Sequence, residues 1–268
     1  MKTRLLPLSI PMLLLAATAC SDSTTGAVSL SLTTARPLGA PLAAAPVSIS
    51  AAPQVTTAGD STVITLGNDT IILHSVELVL REIELKPVEE AACDTVGGDD
   101  GCEEFETGPV LVSLPLGTTA TETMISVNAP PGQYDQLEFK IHKPESSDDA
   151  AFIAAHPDFD GVSIRVTGTY SQAGTRSNFV FTSDLDAQQE IELAPAITVS
   201  AGAPTSVSLR VDVATWFLNG GGTALVDPAS ANKGQANEGV VKDRIEASID
   251  AFRDDDHDGH DDDDPNDH

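Results

Sequence analysis

Apolar and polar residues alternate with a period of two along most of the chain. From Ala27 to Thr33, Val28, Leu30 and Leu32 interleave with Ser29, Ser31 and Thr33, the signature of a strand that buries one face. Residues 62–66 and 70–73 flank Gly67-Asn68-Asp69, which predicts a hairpin with a tight connection. Residues 76–85 begin with Val76, Leu78 and Leu80 and continue with Ile83 and Leu85. The parity changes at Arg81-Glu82, so a bulge or a change of sheet is expected there. Further strands are predicted at 110–114, 122–127, 137–141, 162–170, 178–182, 190–193, 197–199 and 207–213, with 162–170 and 178–182 joined as a hairpin. A short helix is predicted within 146–155, placing Phe152 and Ala155 inward and stopping before Pro157. Strands without strand–helix alternation predict an all-β fold, an antiparallel β-sandwich.

Near the C-terminus the period changes. Val241, Ile245, Ile249 and Phe252 recur at i, i+4, i+8 and i+11, which predicts one amphipathic helix over 240–252 docked on the sandwich. Composition marks the remaining boundaries. Residues 20–26 read as a tether and 27–218 as the sandwich domain. Within it, the Ala-, Pro- and Thr-rich stretch 34–59 is expected to be a mobile excursion, with Val47-Ser48-Ile49-Ser50 as a candidate edge strand. Residues 219–239 read as a loop and 253–268 as an acidic tail.

The first nineteen residues have the layout of an export signal. Lys2 and Arg4 form a positive start, Leu5 to Ala17 a short apolar run, and small residues precede Cys20. Pro7 and Pro11 interrupt that run, which is too short to span a bilayer. Ala17-Thr18-Ala19-Cys20 is similar to a bacterial lipobox, with Ala17 where Leu is usual. Export implies an oxidising compartment. Cys93 and Cys102 flank the turn-forming stretch Asp94-Thr-Val-Gly-Gly-Asp-Asp-Gly101 and are expected to close a disulfide. Cys20 is then the odd cysteine, and lipidation accounts for it. The expected location is the outer membrane or cell surface, reached through the N-terminal lipid, or otherwise the periplasm.

Charge narrows the partners. Forty-one acidic residues against fourteen Lys and Arg give a net charge of −27, and loss of Lys2 and Arg4 with the signal makes it −29. Such a chain is repelled by phosphate backbones, so nucleic acid is not an expected partner, whereas divalent cations and basic partners are. Within the tail, Asp254, Asp256 and Asp258 followed by Gly259 match the first half of an EF-hand-type loop. With His260 and Asp262 they form a candidate calcium site, and the predicted 240–252 helix would enter it. Pro265 stands where a bidentate Glu normally closes the loop, so weak binding is expected. The alternatives are a solvated acidic tail or a transition-metal site using His257, His260 and His268.

Three segments carry a family likeness: Val28-Ser-Leu-Ser-Leu-Thr, Ser75-Val-Glu-Leu-Val-Leu-Arg-Glu-Ile-Glu-Leu and Ala129-Pro-Pro-Gly-Gln-Tyr-Asp-Gln-Leu-Glu-Phe. Together they resemble bacterial and archaeal surface lipoproteins that contain a prealbumin-like, immunoglobulin-like β-sandwich domain of unknown function. The resemblance spans roughly residues 27–215. It implies that Gly132 supplies an unusual backbone angle and that Tyr134 fills a corner. The tail is also similar to thrombospondin-type and dockerin-type calcium loops. No catalytic residues come with the resemblance.

No nucleophile elbow, zinc-protease helix, Walker loop, dinucleotide fingerprint or haem-attachment motif occurs in the sequence. The expectation is a non-catalytic, lipid-anchored binding or structural module with an unidentified protein or glycan partner. A carbohydrate- or peptide-binding lipoprotein is the alternative, which an exposed cluster of Trp216, Tyr170 and Phe residues would favour. A secreted hydrolase would need a concave pocket with nucleophile and base in reach.

Overall fold

The computed structural model describes residues 26–34, 52–88, 108–117, 123–201 and 205–253. Two β-sheets face one another across an apolar core. The smaller contains β1 (Gly26–Thr34), β6 (Thr123–Ala129), β11 (Thr205–Val211) and β12 (Ile249–Arg253), in the order β12-β11-β1-β6. The larger, curled sheet contains β2 (Gln54–Ala58), β3 (Ser61–Leu66), β4 (Asp69–Pro87), β5 (Val110–Ser113), β7 (Gly132–Ile141), β8 (Ile164–Gln172), β9 (Thr175–Ser183) and β10 (Ala187–Val199). Helices α1 (Ala150–Ala155) and α2 (Glu238–Glu246) lie outside the sheets. The fold is all-β and its pairings are antiparallel, except that β1 runs parallel to β11.

Alternation explains the layers. Val28, Leu30 and Leu32 of β1 and Val207, Leu209 and Val211 of β11 turn inward against Ile71, Leu73, Val76 and Leu78 of β4. Trp216 and Phe217, which follow β11, are fully buried, and Phe217 meets Phe179 and Phe181 of β9 edge-on. Val241 and Ile245, one turn apart on α2, extend this core.

β4 is the spine of the larger sheet. Its nineteen residues would reach at most roughly 60 Å. The first half pairs with β3 and β8 on opposite edges, the second half with β5 and β7. Two irregularities let it change partners. The register with β8 steps over His74, and that with β7 shifts between Arg81 and Glu84, where Glu82 adopts φ 53°. The parity change at Arg81-Glu82 is this second bulge. The expected hairpins are present: Gly67 (φ 63°) begins the β3–β4 connection, and Ala173 and Gly174, at φ 49° and 82°, connect β8 to β9.

Several expectations are corrected. The helix expected over 240–252 ends at Glu246, and Ile249–Arg253 is a strand on the edge of β11. The i, i+4 spacing of Val241 and Ile245 is helical, but Ile249-Asp250-Ala251 also alternates, and the open β11 edge supplies ladder partners that a longer helix would forgo. The 34–59 excursion contains β2, because Gln54–Ala58 pairs with β3; Val47 to Ser50 lie outside the described residues. α1 begins at Ala150, and Ala155 is exposed while Phe152 is only half-buried. The anchor of that segment is Asp149, whose buried carboxylate accepts from Glu145 N at 3.0 Å and from Arg81 at 3.2 Å. The strands expected at 190–193 and 197–199 are one strand, β10. Its ladder is interrupted between Glu192 and Ile197, around Pro195, which has no N–H to donate. The 219–239 loop contains a 3-10 turn, Pro228–Ala231.

Candidate functional site

The residues picked out from the sequence for lipidation, cross-linking and cation binding lie outside the described residues: Cys20, Cys93, Cys102, Asp254, Asp256, His257, Asp258, His260, Asp262 and His268. The described strand ends nearest to them in sequence, Gly26, Pro87 and Arg253, are related by register. β12 is antiparallel to β11, which is parallel to β1, so β12 leaves the sheet at the end where β1 enters it. Leu30, Val207 and Arg253 share one row, two strand spacings or ~10 Å across. Gly26 pairs with Ala129, and the Pro130–Tyr134 corner follows. Pro87, at the end of β4, pairs with Tyr134, and Val88 N donates to Gln133 O at 3.0 Å. Gly26, Pro87 and Arg253 thus lie at one end of the sandwich. The tail follows a strand rather than a helix, so the entering helix of an EF-hand is absent before Asp254.

The corner itself differs from expectation in one respect. Gly132 does not adopt positive φ. Tyr134 holds the corner instead: its ring is buried and its hydroxyl donates to Pro130 O at 2.7 Å. Burial raises its pKa.

Three turns meet at the opposite end. The β3–β4 and β8–β9 connections and residues 223–224 surround an open concavity of about 400 Å³, lined by Leu66, Asn68, Asp69, Ala173 and Thr223 among others. Nearby, Tyr170 is buried, and its hydroxyl has no hydrogen-bond partner among the described residues. Burial, reinforced by the charges of Asp69 and Asp227, pushes its pKa up to about 12, so it stays a neutral donor. The hairpin turns were visible in the sequence. The third wall was not, because residues 223–224 reach the concavity only through the fold.

Two imidazoles have partners that a hydrolase could use. His74 Nδ1 lies 3.1 Å from Ser61 Oγ, and its Nε2 lies 3.2 Å from Thr169 Oγ1, which donates to Asn178 Oδ1 at 3.3 Å. No carboxylate takes part in this chain, and it lies on the sheet face rather than in the concavity. His142 Nδ1 is 3.3 Å from Asp186. Neither arrangement joins nucleophile, base and acid. Among the described residues, no three His, Cys, Asp or Glu side chains converge as a metal site.

The aromatic cluster that would have favoured a sugar platform is in the core. Trp216 is 0% exposed and Tyr170 4%. Trp216 Nε1 donates to Ser248 Oγ at 2.7 Å, and Ser248 donates in turn to Ile245 O at 2.6 Å. The indole is therefore a bolt between β11 and the end of α2. Asp184, at the end of β9, holds Lys242 at 2.7 Å and Lys233 at 2.6 Å. Hydrogen bonds from Lys233 and then Lys242 hold its pKa down at about 2. Asn232 accepts from Thr182 N at 2.8 Å and so covers part of the β9 edge. Compared with protein-family models, with curated proteins and with solved structures, the chain matches none of them.

Proposed function

We propose that the protein is an exported, lipid-anchored β-sandwich, a non-catalytic binding or structural module of the cell envelope akin to bacterial and archaeal surface lipoproteins. The polarity of the fold carries this reading. β1, six residues beyond Cys20, enters at one end, and β4 carries the hairpin turns and their concavity to the other. A module tethered through Cys20 presents those turns away from the membrane. Mass spectrometry of the mature N-terminus tests the anchor: a diacyl or triacyl group on Cys20 is expected, and an unmodified N-terminus on a soluble protein would refute it.

Weak calcium binding by the acidic tail belongs to the same proposal. Asp254, Asp256 and Asp258 would supply hard oxygen ligands, with His260 and Asp262 beside them. An affinity of about 10⁻⁴–10⁻³ M is typical of extracellular calcium modules. Calorimetry on the full chain should give a calcium heat that Asp256→Ala reduces. Equal heats would leave the tail as solvated charge.

A further inference from the structure

The outer face of the larger sheet is divided in two. Across the second half of β4, β7 and β10 it is ionic. Glu84, Glu138 and Glu190 stand opposite one another in register, and Lys86 lies 2.8 Å from Glu84 and 3.4 Å from Glu138. Lys140 pairs with Glu82, and Gln188 donates to Glu138. Across β2, β3, the first half of β4, β8 and β9 the face is nearly free of charge. One cross-strand row reads Thr56, Val63, Ile72, Thr169 and Asn178. The neighbouring row toward the hairpin turns carries hydroxyl and amide side chains until it reaches Arg176 on β9. On the other side come Ser61, His74 and Val180, and then the Glu77–Arg165 ion pair at 3.3 Å closes the field.

Among the described residues, Arg176 is thus the one permanently charged side chain on this field, in a chain with forty-one acidic residues. The field is also ordered. Ser75 and Thr167 hydroxyls lie 2.6 Å apart, Thr65 and Thr70 hydroxyls 3.4 Å, and Ser61, His74, Thr169 and Asn178 form the chain described above. Thr56, His74 and Asn178 are exposed, and Val180 is 51% exposed.

We propose that this face binds a neutral, polyhydroxylated polymer, a polysaccharide of the envelope; the assignment rests on the reading of the protein as an envelope module. Three physical arguments select that partner. A hydroxyl both donates and accepts, so an array of Thr, Ser and Asn complements sugar hydroxyls whichever way they are turned. Val63, Ile72 and Val180 offer methyl groups to the C–H faces of sugar rings, and β-branched side chains are stiff at χ1, so little rotamer freedom is lost on contact. Charge disfavours charged partners. A polyanion is repelled by −27, a polycation is drawn to the acidic surfaces instead, and a second copy brings a second −27 to the contact. Binding works through hydroxyls because Trp216, Tyr134 and Tyr170, side chains of the kind that stack on sugars, are in the core.

Affinity electrophoresis of the full chain in detergent tests this, with dextran, amylose and a mixed-linkage β-glucan as probes and heparin as the polyanion control. Retardation is expected with at least one neutral polymer and not with heparin. Thr56→Lys and Val180→Asp change exposed positions and should leave the melting temperature intact. Each should weaken retardation about tenfold, because a charge on the field must be stripped of water on contact. Gln188→Lys, on the ionic half, should leave it unchanged. No retardation with any of the three neutral polymers, or retardation that Thr56→Lys and Val180→Asp do not alter, overturns the proposal. So does self-association that Val180→Asp abolishes without any response to the polymers. The mass-spectrometric test of Cys20 is independent, so either reading can fail without the other.

Discussion

Ser248 uses its hydroxyl twice, accepting the indole N–H of Trp216 and donating to Ile245 O. Ser248→Ala leaves the buried indole N–H without a partner, while Ile245 O still accepts from Ser248 N at 3.1 Å, so a loss of about 1–3 kcal/mol is expected. Urea unfolding should show a lower midpoint with an unchanged slope. Asp184 governs a pH effect. Its carboxyl is held at about 2 by Lys233 and Lys242, below its ordinary value. A depressed carboxylate stabilises the fold above its unfolded pKa, and that contribution is lost as pH falls through the folded value. The wild type should therefore lose about 1 kcal/mol relative to Asp184→Asn as pH falls from ~4 to ~2, the figure being discounted because Lys233 is well exposed. Melting curves of both proteins across that range check it. Glu82 is strained at φ 53°. Glycine tolerates that angle and alanine does not, so Glu82→Gly should be more stable than Glu82→Ala by about 1 kcal/mol in the same assay. None of these roles was legible one residue at a time. The parity change flagged the bulge, but not which residue would carry the positive φ.

Among the elements, the end of the chain is the most instructive. Residues 241–252 carry an apolar stripe of helical period, yet the helix stops at Glu246 and Ile249–Arg253 extends the smaller sheet. Hydrogen exchange should find amides of 249–253 protected alongside those of β11, whereas a continued helix would protect them independently of β11. The local pattern admitted both conformations, and the unpaired edge of β11, some forty residues earlier, decided between them. Gly168 illustrates the close approach of β8 to β4. A Cβ there would come within 2.3 Å of Ile72 O and 2.7 Å of the Phe179 ring. Gly168→Ala should therefore destabilise the protein by about 1–3 kcal/mol, measurable by thermal unfolding. Strand identities were largely legible, because one buried face imposes a strict period of two. The parallel pairing of β1 with β11 was not, because it joins segments far apart in sequence.

At the scale of the whole molecule, the fold has two ends with different content. Gly26 and Arg253 mark one end, and Asn68 and Ala173 mark the other. On vesicles carrying the lipidated protein, a donor dye near Arg253 should transfer energy to acceptor lipids more efficiently than one at Ala173. Equal transfer would contradict the proposed orientation. The sequence by itself determined the all-β class, most strand positions, the tight turns and the bulge at Glu82. These follow from local periodicity and from the backbone angles that glycine permits. It also supplied the residues expected for export, cross-linking and cation binding, because each is a contiguous motif. Tertiary structure alone decided which sheet each strand joins, that Trp216 and Tyr170 are core rather than surface, and that Gly26 and Arg253 share an end. It also separated a field nearly free of charge from an ionic one on a single sheet. Those properties depend on which distant strands become neighbours, and pairing energies between strands are nearly independent of their separation along the chain.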